Sequence, residues 1–265
     1  MSASNPYTSS NHSTETALSI LEVLAESGNS MRLRDISEAL SVNVSTASRF
    51  LNTFVNCGYA EQDPDTLRYR LTYKLCRIAS QIQENTPLRM ITHPYLAELS
   101  AAFSEACCVS VESGMRMIYI DTCSPQGQSL MSRQQVGGEA PMHCTGNGKL
   151  ALLGYSASEL DKLIAEKGLE RLTDNTICSR SALCAELERI RRQGFAEDLE
   201  ECEVGVRCLA FPIIDCSGRF AAGISITGPV SRMTDAAVEL MKPALKAAAE
   251  SISEGLGMKK SAFNN

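Results

Sequence analysis

The sequence has no long hydrophobic run, few histidines and no excess of positive charge. No apolar stretch approaches the roughly 18 residues that a membrane-spanning helix needs. The first dozen residues are polar and rich in Ser and Asn, and they contain neither the basic start nor the apolar stretch of a secretory signal. We therefore expect residues 1–13 to be a disordered tail, and we expect a cytoplasmic protein with no membrane contact.

Cysteine is abundant, but its arrangement excludes the usual structural uses of this residue. The 11 cysteines are odd in number and form no Cys-x-x-Cys pair, and the 3 histidines are not at zinc-finger spacing. Free cysteine packs as a small apolar side chain. The sequence thus predicts no disulfide framework, no metal site and no cofactor. A thiol-based redox sensor remains an alternative use of some of these residues.

Residues 31–71 have the pattern of a helix, a tight turn, a second helix and a short hairpin. In the first of these helices the apolar Leu33, Ile36 and Leu40 recur at helical spacing. Another predicted helix precedes this pattern, and the hairpin is centred on the turn sequence DPDT. Three helices followed by a hairpin predict a winged helix-turn-helix domain over residues 14–71.

The second helix of the pattern, residues 44–55, has a polar outward face. On a helical wheel its apolar side chains gather on one side, and hydroxyl, amide and guanidinium groups lie opposite. Such groups can read base edges in the major groove of DNA. The alternative is an ordinary solvated face. The predicted DNA-contacting residues lie on this helix, on the helix before it and in the hairpin: Arg34, Ser45, Thr46, Arg49, Asn52, Thr53 and Arg68.

The charge balance limits how strongly one copy of this domain can bind DNA. The net charge of the chain is −6, and the first 80 residues are not basic overall. Their basic side chains cluster on the two helices and the hairpin of the predicted motif. Few phosphate contacts predict a modest affinity per monomer, so tight binding would require oligomerisation.

Residues 72–91 are predicted to form a linker helix whose apolar side has no partner in the first domain and could pair with a second subunit. Residues 92–257 then alternate between strand and helix patterns, with Pro94 expected in a first helical turn. Strands before and after a helical middle indicate an α+β domain with an antiparallel sheet, not a Rossmann-type sheet. An extended run is expected near residues 129–136, and a short tail over residues 258–265.

Three sequence blocks in the second domain resemble motifs of the IclR family of bacterial transcriptional regulators. They are PMHCTGNGK at 141–149, GFAEDLEECEVGVRCLA at 194–210 and AAGISITGP at 221–229. The resemblance implies an N-terminal winged helix-turn-helix that binds double-stranded operator DNA and a C-terminal GAF-like domain that binds a small metabolite, often a carboxylic acid. It also implies a homodimer or homotetramer and, commonly, a repressor of a catabolic operon. This sequence departs from the family motifs at Asn147, Gly223 and Thr227.

The positions that match the family's ligand pocket make physical sense as an acid-binding site. They are Gly146, Asn147, Asp198, Cys208, Ser225 and Thr227. Free amides at the start of a helix opened by Gly146 suit a carboxylate, and a glycine lets a ligand approach the backbone. Asp198 would accept hydrogen bonds from a hydroxyl or a hydrated carbonyl, which predicts a hydroxy-, keto- or sugar acid. The alternatives are that Asp198 caps a loop, that Cys208 only packs, and that Arg133 lies on the surface instead of pairing with the ligand.

The predicted function is therefore a ligand-responsive transcriptional regulator and not an enzyme. Cys144 lies beside His143, but adjacent residues cannot readily form a nucleophile–base pair with a third orienting group. A Cys-dependent enzyme is thus disfavoured. A regulator that senses oxidants through its thiols is the principal alternative.

Overall fold

The computed structural model describes residues 11–84, 87–125 and 134–258, and the chain forms two compact units that divide between residues 85 and 86. Each unit has its own hydrophobic core. Within the described ranges, no helix is both long and apolar enough to cross a lipid bilayer.

The first unit is a three-helix domain with a small sheet, followed by one further helix. Its elements are α1 (His12–Glu26), β1 (Met31–Arg32), α2 (Leu33–Ala39), α3 (Val44–Asn56), β2 (Ala60–Gln62), β3 (Arg68–Leu71) and α4 (Lys74–Glu84). The sheet is antiparallel with strand order β1-β3-β2, so the predicted hairpin gains a third strand from the segment before α2. In the turn of the hairpin, Asp63 Oδ1 accepts hydrogen bonds from the backbone N–H groups of Asp65 and Thr66.

One apolar cluster holds the three helices and the sheet of this unit together. Its buried members are Ile20 and Leu24 from α1, Ile36 from α2, Leu51 from α3 and Tyr69 from β3. Each helix thus buries one stripe of side chains, as the sequence periodicity predicts. The opposite side of α3 stays free to contact other molecules.

The second unit is a six-stranded antiparallel sheet covered by helices on both faces. Its elements are α5 (Pro87–Phe103), β4 (Ala106–Ser113), β5 (Arg116–Cys123), β6 (Glu139–Ala140), α6 (Gly146–Leu152), α7 (Ala157–Lys167), α8 (Arg180–Gln193), β7 (Ala196–Leu199), β8 (Val206–Ile214), β9 (Phe220–Pro229) and α9 (Asp235–Gly255). The strand order is β6-β5-β4-β9-β8-β7, and every neighbouring pair is antiparallel. The predicted α+β class with an antiparallel sheet is confirmed.

Two separate cores cover the two faces of this sheet. One contains Leu96 of α5 and Leu245 of α9 together with Ile224 of β9. The other contains Leu150 of α6 and Leu183 of α8, packed with strand residues of the opposite parity. Because successive side chains of a strand point to opposite faces, both faces of the central strands are buried. The polar residues on those strands are therefore inside the protein.

Two details of the second unit differ from the sequence-based expectations, and a third lies largely outside the described residues. Pro94 is not in a first turn: α5 begins at Pro87, and Pro94 lies inside the helix, where its exposed position lets water satisfy the carbonyl group that loses its amide partner. The helix start also means that residues 87–91, assigned to the linker, belong to α5. Of the extended run expected near residues 129–136, residues 129–133 lie outside the described part of the chain, and the short strand β6 comes after it.

Candidate functional site

The outward face of α3 presents the polar side chains that the helical wheel predicts. Ala47 and Leu51 are fully buried, whereas Ser45, Arg49 and Asn52 are exposed. The remaining two predicted residues differ in detail: Thr46 is half-buried, and Thr53 is exposed but donates its hydroxyl hydrogen bond to the carbonyl of Arg49 at 3.0 Å. The face therefore combines one guanidinium group with amide and hydroxyl groups.

The two predicted DNA-contacting arginines outside α3 occupy different environments. Arg34 is exposed on α2 and lies 3.6 Å from the carboxylate of Glu38. Arg68 is half-buried, and its Nη1 donates to the carbonyl of Ser30 at 2.9 Å. Arg68 thereby ties the hairpin to the segment that precedes α2. Part of its hydrogen-bonding capacity is already used inside the domain.

In the second unit, all six predicted ligand-binding residues line one cavity. The cavity has a volume of about 70 Å³ and lies between the sheet and the start of α6. Arg133 lies outside the described residues. The sequence analysis did not identify the other residues that line the cavity, which are Ser110, Met117, Tyr119, Gln134, Thr145, Cys202, Glu203 and Val206.

Strand register explains why residues far apart in the sequence meet here. Asp198 of β7 pairs with Cys208 of β8, and Cys208 pairs with Thr227 of β9. These three residues form a row across three strands, and directly paired residues point to the same face. On the next row, Ser225 of β9 lies opposite Ala210 on one side and opposite a residue of β4 on the other. Asp198, Cys208, Ser225 and Thr227 all lie within the family motifs, but it is the strand register that brings them to one cavity.

The start of α6 packs tightly on the sheet. A Cβ atom at Gly146 would lie 2.8 Å from the Cβ of Ala210 and 3.4 Å from Cys208 Sγ. The missing side chain of Gly146 therefore makes room for the sheet. Gly146 also lines the cavity, and the approach of a ligand to its backbone stays a prediction. The hydroxyl of Thr145 donates to the carbonyl of Pro141 at 2.6 Å and does not cap the helix. The amides of the first turn consequently receive no hydrogen bond from that side chain.

Asp198 both caps a loop and lines the cavity. Its Oδ1 accepts hydrogen bonds from the backbone N–H groups of Glu201 at 2.7 Å and Cys202 at 3.3 Å, as the alternative interpretation predicts. The side chain is 5% exposed. Burial raises the pKa of Asp198 to about 7; the two backbone hydrogen bonds and the charge of Lys149 oppose this shift, and the charge of Glu201 adds to it.

A buried ion cluster contacts the loop that Asp198 caps. Lys149 of α6 is fully buried, and its Nζ donates to Glu201 Oε1 at 2.5 Å and to Glu186 Oε1 at 3.1 Å. Lys149 does not reach the cavity. Among the described residues that line the cavity, the charged ones are Asp198 and Glu203, both acidic. The described lining of the cavity therefore offers hydrogen bonds to a ligand but no cationic side chain.

The thiols around the cavity are poorly suited to nucleophilic or redox chemistry. Burial raises the pKa of Cys108 and of Cys208 to about 12, and a hydrogen bond with Cys202 together with burial raises the pKa of Cys144. Thiols with raised pKa values stay protonated and react slowly. His143 does not activate Cys144, because its Nε2 donates to the carbonyl of Glu170 at 3.0 Å and burial lowers its pKa.

No arrangement typical of a metal centre occurs in the part of the chain that the structure describes. A search of those residues for three or more neighbouring His, Cys, Asp or Glu side chains that could hold a metal ion finds none. The two features with the composition and geometry of binding sites are thus the outward face of α3 and the cavity of the second unit.

A helix-turn-helix unit followed in one chain by an α+β unit with a polar cavity defines the class of two-domain transcriptional regulators. Comparison with protein families places the chain more narrowly. The IclR helix-turn-helix domain matches residues 13–64, and the bacterial transcriptional regulator IclR C-terminal domain matches residues 80–254. The chain belongs to the IclR family. Members of this family are transcriptional regulators that bind DNA, and they are not enzymes.

Relatives of known role extend over nearly the whole chain. The HTH-type transcriptional regulator BhcR of Paracoccus denitrificans is 32% identical over 94% of this chain and 88% of its own. The regulator XynR of Escherichia coli is 30% identical over 92% and 97%. The transcriptional repressor AllR of Salmonella typhi is 29% identical over 92% and 90%. The family, predicted from three short motifs, is thus confirmed over most of the chain.

Solved structures show the same architecture. The crystal structure of Thermotoga maritima IclR aligns with a TM-score of 0.73 and 29% identity over 92% of this chain and 98% of that chain. A putative regulator from Rhodococcus aligns with a TM-score of 0.79 and 25% identity over 94% and 99%. The winged helix-turn-helix and the curled antiparallel sheet are therefore shared with experimentally determined members of the family.

Proposed function

We propose that this protein is a ligand-responsive repressor of a catabolic operon, and that its effector is a short hydroxy- or keto-carboxylic acid bound in the cavity of the second unit. The observation that carries the proposal is the convergence of Asn147, Asp198, Ser225 and Thr227 on that cavity. These side chains come from α6, β7 and β9 and are all buried, although polar groups are costly to bury unless they bind something.

The size of the cavity favours a short acid over a sugar acid. A water-sized group needs about 10–15 Å³ of such space, so a cavity of about 70 Å³ holds roughly five to seven non-hydrogen atoms. Hydroxy- and keto-acids with three carbons have six or seven non-hydrogen atoms, within about that range. A six-carbon sugar acid has about twice as many and would require the cavity to expand.

A carboxylate can be held here without a cationic side chain. The first-turn amides of α6 are not capped by Thr145, and backbone N–H groups suit a carboxylate. The nearby carboxyl of Asp198 can be protonated near neutral pH, since burial raises its pKa to about 7. A protonated Asp198 does not repel the carboxylate of the ligand, so the protein takes up one proton when the acid binds.

The operator would be read by the outward face of α3. Arg49 carries the guanidinium group that suits a guanine, and Asn52 carries an amide that suits an adenine. The acidic chain makes few phosphate contacts, so we infer that a dimer binds two half-sites. The helix α4 would contribute to this dimer through its half-buried Leu75 and Ile78. Among the relatives, AllR and the E. coli protein YiaJ are named as repressors, which supports the same direction of control.

The proposal is tested by selecting binding sites for the full-length protein from a random duplex library and then measuring the affinity of the best site with and without acids. We expect an inverted repeat, and we expect a short hydroxy- or keto-acid to weaken its binding at least tenfold, which corresponds to about 1.4 kcal/mol of coupling. Enrichment of no sequence would contradict the DNA-reading role. Enrichment without any response to glycerate, lactate, pyruvate or glycolate would contradict the proposed effector.

A further inference from the structure

Asn147 and Gly223 fit together at the wall of the cavity. A Cβ atom built on Gly223 would lie 2.5 Å from both Cγ and Oδ1 of Asn147, closer than real Cβ atoms come to any neighbour. The backbone of Gly223 has an ordinary φ, so glycine is required here by the space that the carboxamide occupies and not by the conformation. Both residues are departures from the family motifs, and the contact between them shows that they are a matched pair.

The carboxamide of Asn147 has one satisfied end and one unsatisfied end. Its Nδ2 donates to Ser110 Oγ at 2.9 Å and to Ser225 Oγ at 3.4 Å. Its Oδ1 is buried and has no hydrogen-bond partner within the described residues, although the residue is only 5% exposed. A buried acceptor without a partner is unfavourable, so its presence at a cavity indicates a group that arrives from outside.

A second amide at the same cavity has the same arrangement. Gln134 donates from Nε2 to Thr227 Oγ1 at 3.1 Å, and its Oε1 is also buried without a partner among the residues described. Both unpartnered atoms are neutral carbonyl oxygens, which accept hydrogen bonds from hydroxyl or N–H groups. Two neutral acceptors on one cavity thus lack a hydrogen-bond donor among the described residues. This lack does not depend on the charge state of any side chain.

We propose that Asn147, in the space left by Gly223, is the residue that selects the effector, and that it selects a ligand carrying a hydroxyl or N–H donor. This inference rests on the proposed function and narrows it from hydroxy- or keto-acids to hydroxy-acids. A keto-acid in its unhydrated form, such as pyruvate, presents only acceptors to the cavity and leaves both amide oxygens unsatisfied. A site whose buried acceptors pair with a donor on the ligand strongly rejects a ligand without that donor, because the acceptors are then left unpaired.

The first test is a ligand series with one carbon skeleton, titrated calorimetrically into the full-length protein. Glycerate, lactate and propionate differ by the successive loss of one hydroxyl, and pyruvate replaces the hydroxyl of lactate by a carbonyl. We expect affinity to fall about tenfold with each lost hydroxyl, and pyruvate to bind as weakly as propionate. Propionate or pyruvate binding as tightly as lactate would overturn the inference.

Two neutral probes separate this inference from the proposed acid effector. Lactamide and glycerol carry donors but no carboxylate. If they bind and no acid does, the acid effector is refuted and selection of donors is supported. If none of the six compounds binds, both proposals fail.

Paired substitutions test the role of Asn147 itself. Gly223→Ala alone should lower the melting temperature by several degrees, because the new methyl overlaps the carboxamide, and adding Asn147→Ala should restore most of the loss. The double variant should prefer lactate over propionate less strongly than the wild type does, because only the amide oxygen of Gln134 remains to select a donor. Gly154→Ala is the matched control, since a Cβ there comes no closer than 3.6 Å to a neighbour; it should keep the wild-type melting temperature and ligand ranking. A double variant that still prefers lactate as the wild type does would refute the assignment, and so would an undiminished melting temperature in Gly223→Ala.

Discussion

The most informative prediction concerns the pH dependence of acid binding at Asp198. Burial raises the pKa of Asp198 to about 7. A short carboxylic acid has a pKa of about 3.5 and is therefore ionised throughout the neutral range. If the anion binds only when Asp198 is protonated, the apparent Kd is multiplied by one plus ten to the power of pH minus pKa. That factor is about 1.1 at pH 6 and about 11 at pH 8. We therefore expect acid binding to be roughly tenfold weaker at pH 8 than at pH 6, a difference of about 1.4 kcal/mol.

The assay is a calorimetric titration of the full-length protein with whichever of glycerate, lactate or pyruvate binds most tightly, repeated from pH 6 to pH 8. Titrations in buffers of different ionisation enthalpy would report uptake of close to one proton at pH 8. Asp198→Asn is the matched variant, because an asparagine Oδ1 can still accept from the amides of Glu201 and Cys202 but cannot ionise. Its affinity should not depend on pH in this range. A flat wild-type profile, or tighter binding at pH 8 than at pH 6, would refute the coupling.

The same shift has a consequence for stability that does not involve ligand. Because the folded pKa of Asp198 is raised above its ordinary value of 3.8, its contribution to stability is full below about pH 4 and is lost as the pH rises through about 7. The stability of Asp198→Asn relative to the wild type should therefore increase over this interval. Denaturant titrations at pH 5 and pH 8 measure the difference, and a relative stability that decreases with pH would contradict the assigned direction of the shift.

Three substitutions elsewhere test the remaining structural arguments. Arg49→Ala should weaken operator binding by about 1–3 kcal/mol in fluorescence anisotropy titrations while binding to a scrambled duplex changes less, and equal losses on both duplexes would reduce Arg49 to a phosphate contact. Lys149→Met should destabilise the protein by about 3–5 kcal/mol in chemical denaturation, since it leaves the carboxylate of Glu201 buried without its cation, whereas Glu186 keeps Arg189; a loss below about 1 kcal/mol would show that water reaches Glu201. Gly148→Ala should impair folding, because its Cβ would lie 2.4 Å from a backbone atom, and normal expression with an unchanged melting temperature would disprove that close contact.

The sequence alone was sufficient for the first unit. Helical spacing in residues 33–40 and 44–55 identifies two helices and separates their buried faces from their exposed faces, because amphipathic periodicity is a local property. The exposed positions of Arg49 and Asn52 on α3 follow from that periodicity. The sequence missed the short strand β1, since two residues carry no periodic signal and form a strand only by pairing with β3.

In the second unit, predictions from local sequence were less reliable wherever the structure of a segment depends on its packing or pairing with another element. The start of α5 was placed at residue 92 instead of Pro87, because Pro94 is a strong local signal for a helix start and its tolerance inside the helix depends on solvent exposure. Asp198 was identified from a motif, but the strand that carries it was not. Its loop-capping hydrogen bonds and its place in the cavity follow from the register of β7 with β8.

The amino-acid sequence by itself therefore determined the class of each domain, the family and six of the residues that line the cavity, because periodicity and motifs are properties of residues close together in the chain. Tertiary structure alone decided that Gly146 makes room for the sheet, that Gly223 makes room for Asn147, and that two amide oxygens remain without partners at one cavity. Those features depend on contacts between residues that are up to 93 positions apart in the sequence. No local pattern can encode them, because packing is decided by the atoms that the fold brings together.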